Sequence, residues 1–231
     1  MIFKMDLFLK VVILFCFSVN LWCKENVNVY TYHDKPPYYI SEKGKGIYFS
    51  YTELLNKKQN DYKFLVKFLP RIRINTLLEK NGLDGIIIGV NPIWFKDKDK
   101  TKYYWTNGFL KDEDVVVSSI TRPFEYTGPD SAKGKIWGTV RGLYYFGLEE
   151  LSQKKEITKE ETATELQNLE KLNFNRIDFT VMSRSTLDYY ERIKHWRKNF
   201  AISKVPHDIF ERHVLIPKNK QKLYEFMKPL T

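Results

Sequence analysis

With 231 residues, 43% of them hydrophobic, the chain is long enough to bury a substantial core and too apolar to be disordered, and one compact domain or two small lobes would both fit. The net charge of +10 would suit an anionic partner, but the lysines are spread thinly along the whole chain with no recognised nucleic-acid motif, so nucleic acid is set aside and the basicity reads as a solvated surface. Both cysteines, Cys16 and Cys23, lie in the first two dozen residues, and His33, His195, His207 and His213 show neither an i,i+4 pair nor an HExxH pattern, so no disulfide framework, metal or cofactor is expected.

The N-terminus has the make-up of an export signal. Lys4 and Lys10 flank and interrupt a start that continues into the apolar run Val11 to Phe17, too short to span a bilayer but suited to a signal h-region. Residues 1–23 are therefore expected to be a signal peptide, cut after Ser18 or after Cys23, with the mature chain in the periplasm. An uncleaved N-terminal anchor is the alternative reading.

Asn26 to Thr31 alternates polar and apolar residues and predicts the first strand. It runs into Tyr32-His33-Asp34-Lys35-Pro36-Pro37-Tyr38-Tyr39, where two prolines forbid regular structure. The loop after the first strand of an α/β sheet lies at the ligand end. A proline-stiffened turn whose tyrosines cover the core is the other reading. Gly44 and Gly46 precede a helix predicted over Ile47 to Lys58, with Tyr48, Tyr51, Leu54 and Leu55 on one side.

Phe64 to Val90 organises the chain, because it reads as a strand, a helix and a strand in succession. Phe64 to Leu69 is β-prone, and Pro70 suits the first turn of a helix. Ile72, Leu77 and Leu78 give an apolar stripe over Pro70 to Asn81, and Gly82 supplies the stop. Ile86 to Ile88 is unbroken apolar, the signature of a strand covered on both faces, so a parallel sheet is expected with its ligand edge just past Gly89. Asn91 to Phe95 follows, and Lys96 to Lys102, alternating Lys and Asp, reads as a solvated loop.

Asp114 to Ser119 predicts a strand, Thr121 to Gly134 a loop, and Lys135 to Val140 another strand. Gly142 before Tyr144 to Leu151 reads as a glycine turn opening a helix whose N-terminus could receive an anion. Glu165 to Met182 repeats the organising phrase more weakly, with Thr162 and Glu165 as a capping box, and Ser185 with Asp188 starts a helix through Trp196. Phe200 to Val205 and His213 to Ile216 are short strands, and Lys218 to Met227 is a last helix. This order implies an α/β protein of two lobes: 24–110 plus 216–231 in the first, 115–210 in the second, and hinge crossings at 110–115 and 211–215.

VNVYTYHDKPPYYI (Val27 to Ile40), FLPRIRINTLLEKNGLDGIIIG, YYWT, KGKIWGTVRGLYY (Lys133 to Tyr145) and NLEKLNFNRIDFTVMS (Asn168 to Ser183) occur in an order that covers nearly all of the mature chain. In this the chain resembles the family 3 extracellular solute-binding proteins, which have the type II periplasmic binding fold, and within them a stand-alone, poorly characterised branch. The resemblance implies a sheet flanked by helices in each lobe and a ligand between them. It also marks departures. The arginine with which the amino-acid receptors of that family grip a ligand carboxylate corresponds to Lys96 in a gap-free alignment, or to Asp99 when aligned backward from YYWT. Their ammonium-binding aspartate corresponds to Ser183, followed by Arg184, and their stacking aromatic to Lys35, with Tyr32 and Tyr38 close by.

The expected function is a monomeric, non-enzymatic binding protein. It would capture a small polar, anionic or carboxylated, amino-acid-like solute for an ABC-transporter permease or a membrane sensor. The candidate site comprises Tyr32, His33, Lys35, Tyr38, Asn91, Trp94, Lys96, Arg141, Gly142, Tyr144, Ser183 and Arg184. Lys96, Arg141 and Arg184 would attract the anion, and Tyr32, Tyr38, Trp94 and Tyr144 would form the walls. Two alternatives stand beside it: a dehydratase-like enzyme using His33 or Asp34 as acid or base, and a sensory or protein-interaction module on the same fold.

Overall fold

The computed structural model describes residues 24–40, 44–196 and 198–230, so the expected leader at 1–23 lies outside the described residues. Strand β1 (Glu25–Thr31) is followed by α1 (Ile47–Lys58), β2 (Tyr62–Phe68), α2 (Arg71–Glu79) and β3 (Gly85–Val90). β1 lies between β2 and β3 and is parallel to both. All six residues of β3 are buried, as its unbroken apolar run requires of a strand covered on both faces. Ile86 and Ile88 join Val27, Val29, Tyr48 and Phe64 in one cluster, while Ile87 and Val90 pack with Ile74, Leu78 and Trp105 on the other face.

The two helices present different stripes from those the sequence predicts. On α1 the buried residues are Tyr48, Thr52 and Leu55, spaced i, i+4, i+7, and Leu54 is turned outward. On α2 the helix starts at Arg71 with Pro70 as its N-cap, so the face toward the sheet is Ile74 and Leu78, and Ile72 is 78% exposed. The stop also shifts by a residue. Asn81, not Gly82, takes the left-handed conformation, and the Gly82 N–H closes the turn onto the Leu77 carbonyl at 2.8 Å.

The chain then passes through β4 (Tyr104–Trp105) into the long β5 (Leu110–Ser119), which begins four residues before the predicted strand. Next come β6 (Ile136–Val140), α3 (Leu148–Gln153), β7 (Thr158–Thr162), α4 (Glu165–Asn173), β8 (Phe179–Ser183), α5 (Arg184–Lys194) and β9 (Phe200–Ile202). β6 is parallel to β7 and β8, whereas β8 and β9 pair antiparallel with β5. The return strand β10 (Asp208–Ile216) pairs Asp208–Arg212 with Leu110–Asp114, and beyond a register shift at His213 and Val214 it pairs with β3 and β4. β5 and β10 thus run side by side between two half-sheets, in the order β2-β1-β3-β10-β5-β8-β6-β7. Helix α6 (Gln221–Met227) returns Leu223 and Met227 to the cluster around β1.

Helix starts in the second half depart from expectation for local reasons. The helix expected over Tyr144 to Leu151 is six residues long and begins only after Gly147, whose N–H donates to the Glu150 carboxylate. Tyr144 and Phe146 are left exposed. α4 is capped by Thr164 with Gln167, not by Thr162 with Glu165, because Thr162 still belongs to β7. α5 starts two residues earlier than expected, with Ser183 and not Ser185 as its N-cap, and Arg184 is paired to Asp188.

Candidate functional site

In each half-sheet the parallel strands deliver their C-terminal ends to the junction of the halves, where loops and helix starts can carry side chains. β1 ends in the Tyr32–Tyr38 loop, β3 in the 3₁₀ turn Pro92–Phe95, β7 leads to Glu165 at the start of α4, and β8 ends at Ser183. Lys35 reaches across the junction. Its ammonium donates to Glu165 Oε1 at 2.6 Å and to Ser183 Oγ at 3.2 Å, and both of those side chains belong to the other half.

Arg212, on β10, sits at the centre with 1% of its side chain exposed. Its guanidinium donates to the Gly89 carbonyl at 2.9 Å and to Ser183 Oγ at 3.1 Å, and it lies 3.8 Å from Asp112. Tyr38, Trp94 and Phe210 surround it, with the guanidinium carbon 4.2 Å from the Tyr38 ring centroid. A planar cation between aromatic faces is favourable where water is excluded. Gly89 is required here: at φ 80 it brings its backbone against the Tyr48 hydroxyl, where any Cβ would collide.

Asp112 and Asp114 alternate along β5 and so face the same side. Asp112 accepts from the Tyr38 and Ser185 hydroxyls, and Ser183, which accepts from both Lys35 and Arg212, donates its own hydroxyl to Asp114 Oδ1 at 3.2 Å. Burial pushes the Asp114 carboxyl above the usual range, opposed by Lys35 and Arg212 and reinforced by Glu165. His33 packs against Tyr32 and Trp94, with ring centroids 4.1 and 5.9 Å away. Burial, and then the cations Arg212, Lys35 and Arg71, hold its imidazole well below its ordinary value, so it is neutral at physiological pH. Arg71 braces this wall from behind, donating to the Tyr32 hydroxyl at 2.7 Å and to the Trp94 carbonyl at 2.6 Å. Three buried polar atoms at the junction have no hydrogen-bond partner: His33 Nδ1, Arg212 Nε and Glu165 Oε2.

Of the residues the sequence nominates, the structure brings together Tyr32, His33, Lys35, Tyr38, Trp94 and Ser183. Asn91 stands at the edge, where its side chain caps the 3₁₀ turn through the Ile93 N–H and donates to the Glu211 carbonyl. The rest are elsewhere. Lys96 is an exposed left-handed residue, Arg141 is 77% exposed and 4.0 Å from Glu161, and Gly142 borders open space. Tyr144 is exposed with its hydroxyl on Glu150, and Arg184 is held by Asp188 on the outer face of α5. The charges that meet Lys35 there, Arg212, Glu165, Asp112 and Asp114, are not among the nominated residues. A signal existed for two of them, since Asp112 and Asp114 recur at the strand period, whereas Arg212 stands in the polar run Glu211-Arg212-His213.

Comparison with protein-family models finds no match, and comparison with curated proteins finds no significant one. Solved structures do match. The arginine-bound form of a truncated ArgBP from T. maritima superposes with a TM-score of 0.67 at 16% identity, covering 88% of this chain and 93% of that one. An ABC uptake transporter substrate-binding protein from Streptococcus pneumoniae with bound histidine gives 0.67 at 15% identity, over 87% and 82%. The GluR0 ligand-binding core with L-glutamate gives 0.64 at 15%, over 88% and 90%. The fold is that of the two-lobe periplasmic binding proteins.

Proposed function

We propose that the junction is the cleft between two lobes, and that the protein captures a small polar, amino-acid-like solute there and presents it to a membrane transporter or sensor. The observation that carries the reading is the polarised junction. Cations and aromatic rings (Lys35, Arg212, Tyr32, Tyr38, Trp94) form one wall, with Arg71 bracing it from behind, and carboxylates (Asp112, Asp114, Glu165) form the other, with Lys35 and Glu165 already joined across it at 2.6 Å. A solute with both an anionic and a cationic group can replace that contact on each side, so its binding would be coupled to the closing of the hinge. The three structural neighbours hold arginine, histidine and L-glutamate, amino acids that differ in side-chain charge, which supports the class while leaving the side chain open. They are binding proteins, in keeping with a role in capture rather than catalysis. Export through the leader at 1–23, a periplasmic location, an ABC-type permease as partner and a monomeric state belong to the same proposal.

The test is to denature the purified protein and identify by mass spectrometry the small molecule it carries. The expected result is a near-stoichiometric compound with ionisable amine and carboxyl groups that rebinds one to one. A carried compound without ionisable groups, or a protein that carries nothing and binds no amino acid in titration, would favour the interaction module instead.

A further inference from the structure

The charges at the cleft do not balance. Three carboxylates, Asp112, Asp114 and Glu165, meet two cations, Lys35 and Arg212. Arg71 does not make up the difference, because its nitrogens are engaged by Asn75, the Tyr32 hydroxyl and the Trp94 carbonyl on the far side of Tyr32. Asp112 is answered by Tyr38, Ser185 and the nearby Arg212. Lys35 holds Glu165 by Oε1 alone, so Oε2, on a residue only 5% exposed, is buried with nothing to accept from. Asp114 receives the Ser183 hydroxyl. A buried carboxylate oxygen without a donor is costly, and a positive charge brought to it recovers that cost.

We propose that the solute bears one positive charge in excess of any carboxylate it carries, in an ammonium or guanidinium group, and that Glu165 Oε2 and Asp114 receive it. The assignment rests on the reading of the cleft as the solute site. Among the described residues no group of three His, Cys, Asp or Glu is placed to hold a metal ion. The carboxyl of Asp114 is raised by burial first, with Lys35 and Arg212 opposing the rise and Glu165 reinforcing it. The groups that face it are Lys35 from the loop after β1, Arg212 and the preceding His207 from the return strand, Ser183 from β8, Glu165 from α4 and Tyr145 from the loop before α3. A cation arriving there favours the ionised form, so in mildly acid buffer binding is accompanied by proton release.

The experiment titrates the purified protein calorimetrically with L-arginine, L-glutamine and L-glutamate, which carry net charges of about +1, 0 and −1 at neutral pH. L-Arginine is expected to bind about tenfold or more tightly than L-glutamine, and to release protons when two buffers of different ionisation enthalpy are compared. Glu165→Gln, and separately Asp114→Asn in case the first fails to fold, should reduce that preference to about threefold or less. L-Glutamine or L-glutamate binding as tightly as L-arginine, or a preference that survives in both variants, overturns the charge assignment and leaves capture of an amino-acid-like solute standing. Binding of none of the three overturns both.

Discussion

Asp97 lies in the run of alternating Lys and Asp that reads as a solvated loop, yet it is buried. Its carboxylate accepts from the N–H groups of Thr101, Lys102 and Tyr103 and from the Trp105 indole, at 2.7 to 3.1 Å. Burial alone would raise its pKa, but the four donors together outweigh burial and hold it below the ordinary value of 3.8. Because the folded value lies below the unfolded one, the stabilisation is complete above about 3.8 and is lost as the pH falls through the lower folded value. Asp97→Asn is therefore expected to cost about 2 kcal/mol in urea unfolding at neutral pH, with the gap from the parent narrowing in strong acid. An unchanged midpoint at neutral pH would show the loop to be indifferent to the charge. The same difficulty hid Arg212. A charge in a sequence gives no sign of whether its neighbours in space are water or a ring of N–H groups and aromatic faces: the donors to Asp97 come from Thr101 to Trp105 only because the loop folds back on it, and Gly89 and Ser183 lie 123 and 29 positions from Arg212. Lys35 and Tyr38 could be nominated for a different reason: the loop after the first strand of an α/β sheet lies at the ligand end, and the resemblance puts Lys35 where its family has a stacking aromatic, with Tyr38 close by.

Helix α2 shows what periodicity can and cannot fix at the scale of an element. That a helix links β2 and β3 follows from an apolar run, Pro70, a helix-prone stretch and the Asn81-Gly82 stop. Which face it buries depends on its first residue, because a shift of one position rotates the helix by about 100°. With Arg71 as the first helical residue, Ile74 is fully buried against Leu83 and Ile87, and Ile72 points to solvent. Ile74→Ala is expected to destabilise by about 3 kcal/mol through the lost contacts and the cavity, whereas Ile72→Ala should change stability by about 0.5 kcal/mol or less. Urea midpoints of the two variants decide it; a larger loss for Ile72→Ala than for Ile74→Ala would mean that the helix packs with the stripe the sequence alone suggests. Capping was misread for a related reason. Thr162 with Glu165 and Thr164 with Gln167 have the same spacing, and only the end of β7 selects between them, which frees Glu165 from the helix cap to face Lys35.

At the scale of the molecule, the order of elements shows that the chain leaves one half and returns to it, since two similar strand-helix-strand phrases flank a long strand and a late strand completes the first. What holds the halves together is not visible in that order, because Lys35 and Glu165 are 130 positions apart and neither lies in a motif that names the other. The pair is buried on both sides, with 13% and 5% of the side chains exposed, so separating the halves exposes two charges to water while breaking one short contact. Removing only the cation changes that balance. Lys35→Met leaves Glu165 with no partner for either oxygen, and the favourable response is for the halves to part along β5 and β10 until water reaches the carboxylate. A compact chain of 231 residues has a radius of gyration of about 17 Å. Small-angle scattering of the free Lys35→Met protein should give a larger radius than the parent, and the double variant Lys35→Met, Glu165→Leu, which removes both charges, should restore the smaller one. Should the single variant scatter as the parent does, closure would be held by the aromatic enclosure of Arg212 and not by the ion pair, and a solute would have to displace Arg212 rather than Lys35 to enter.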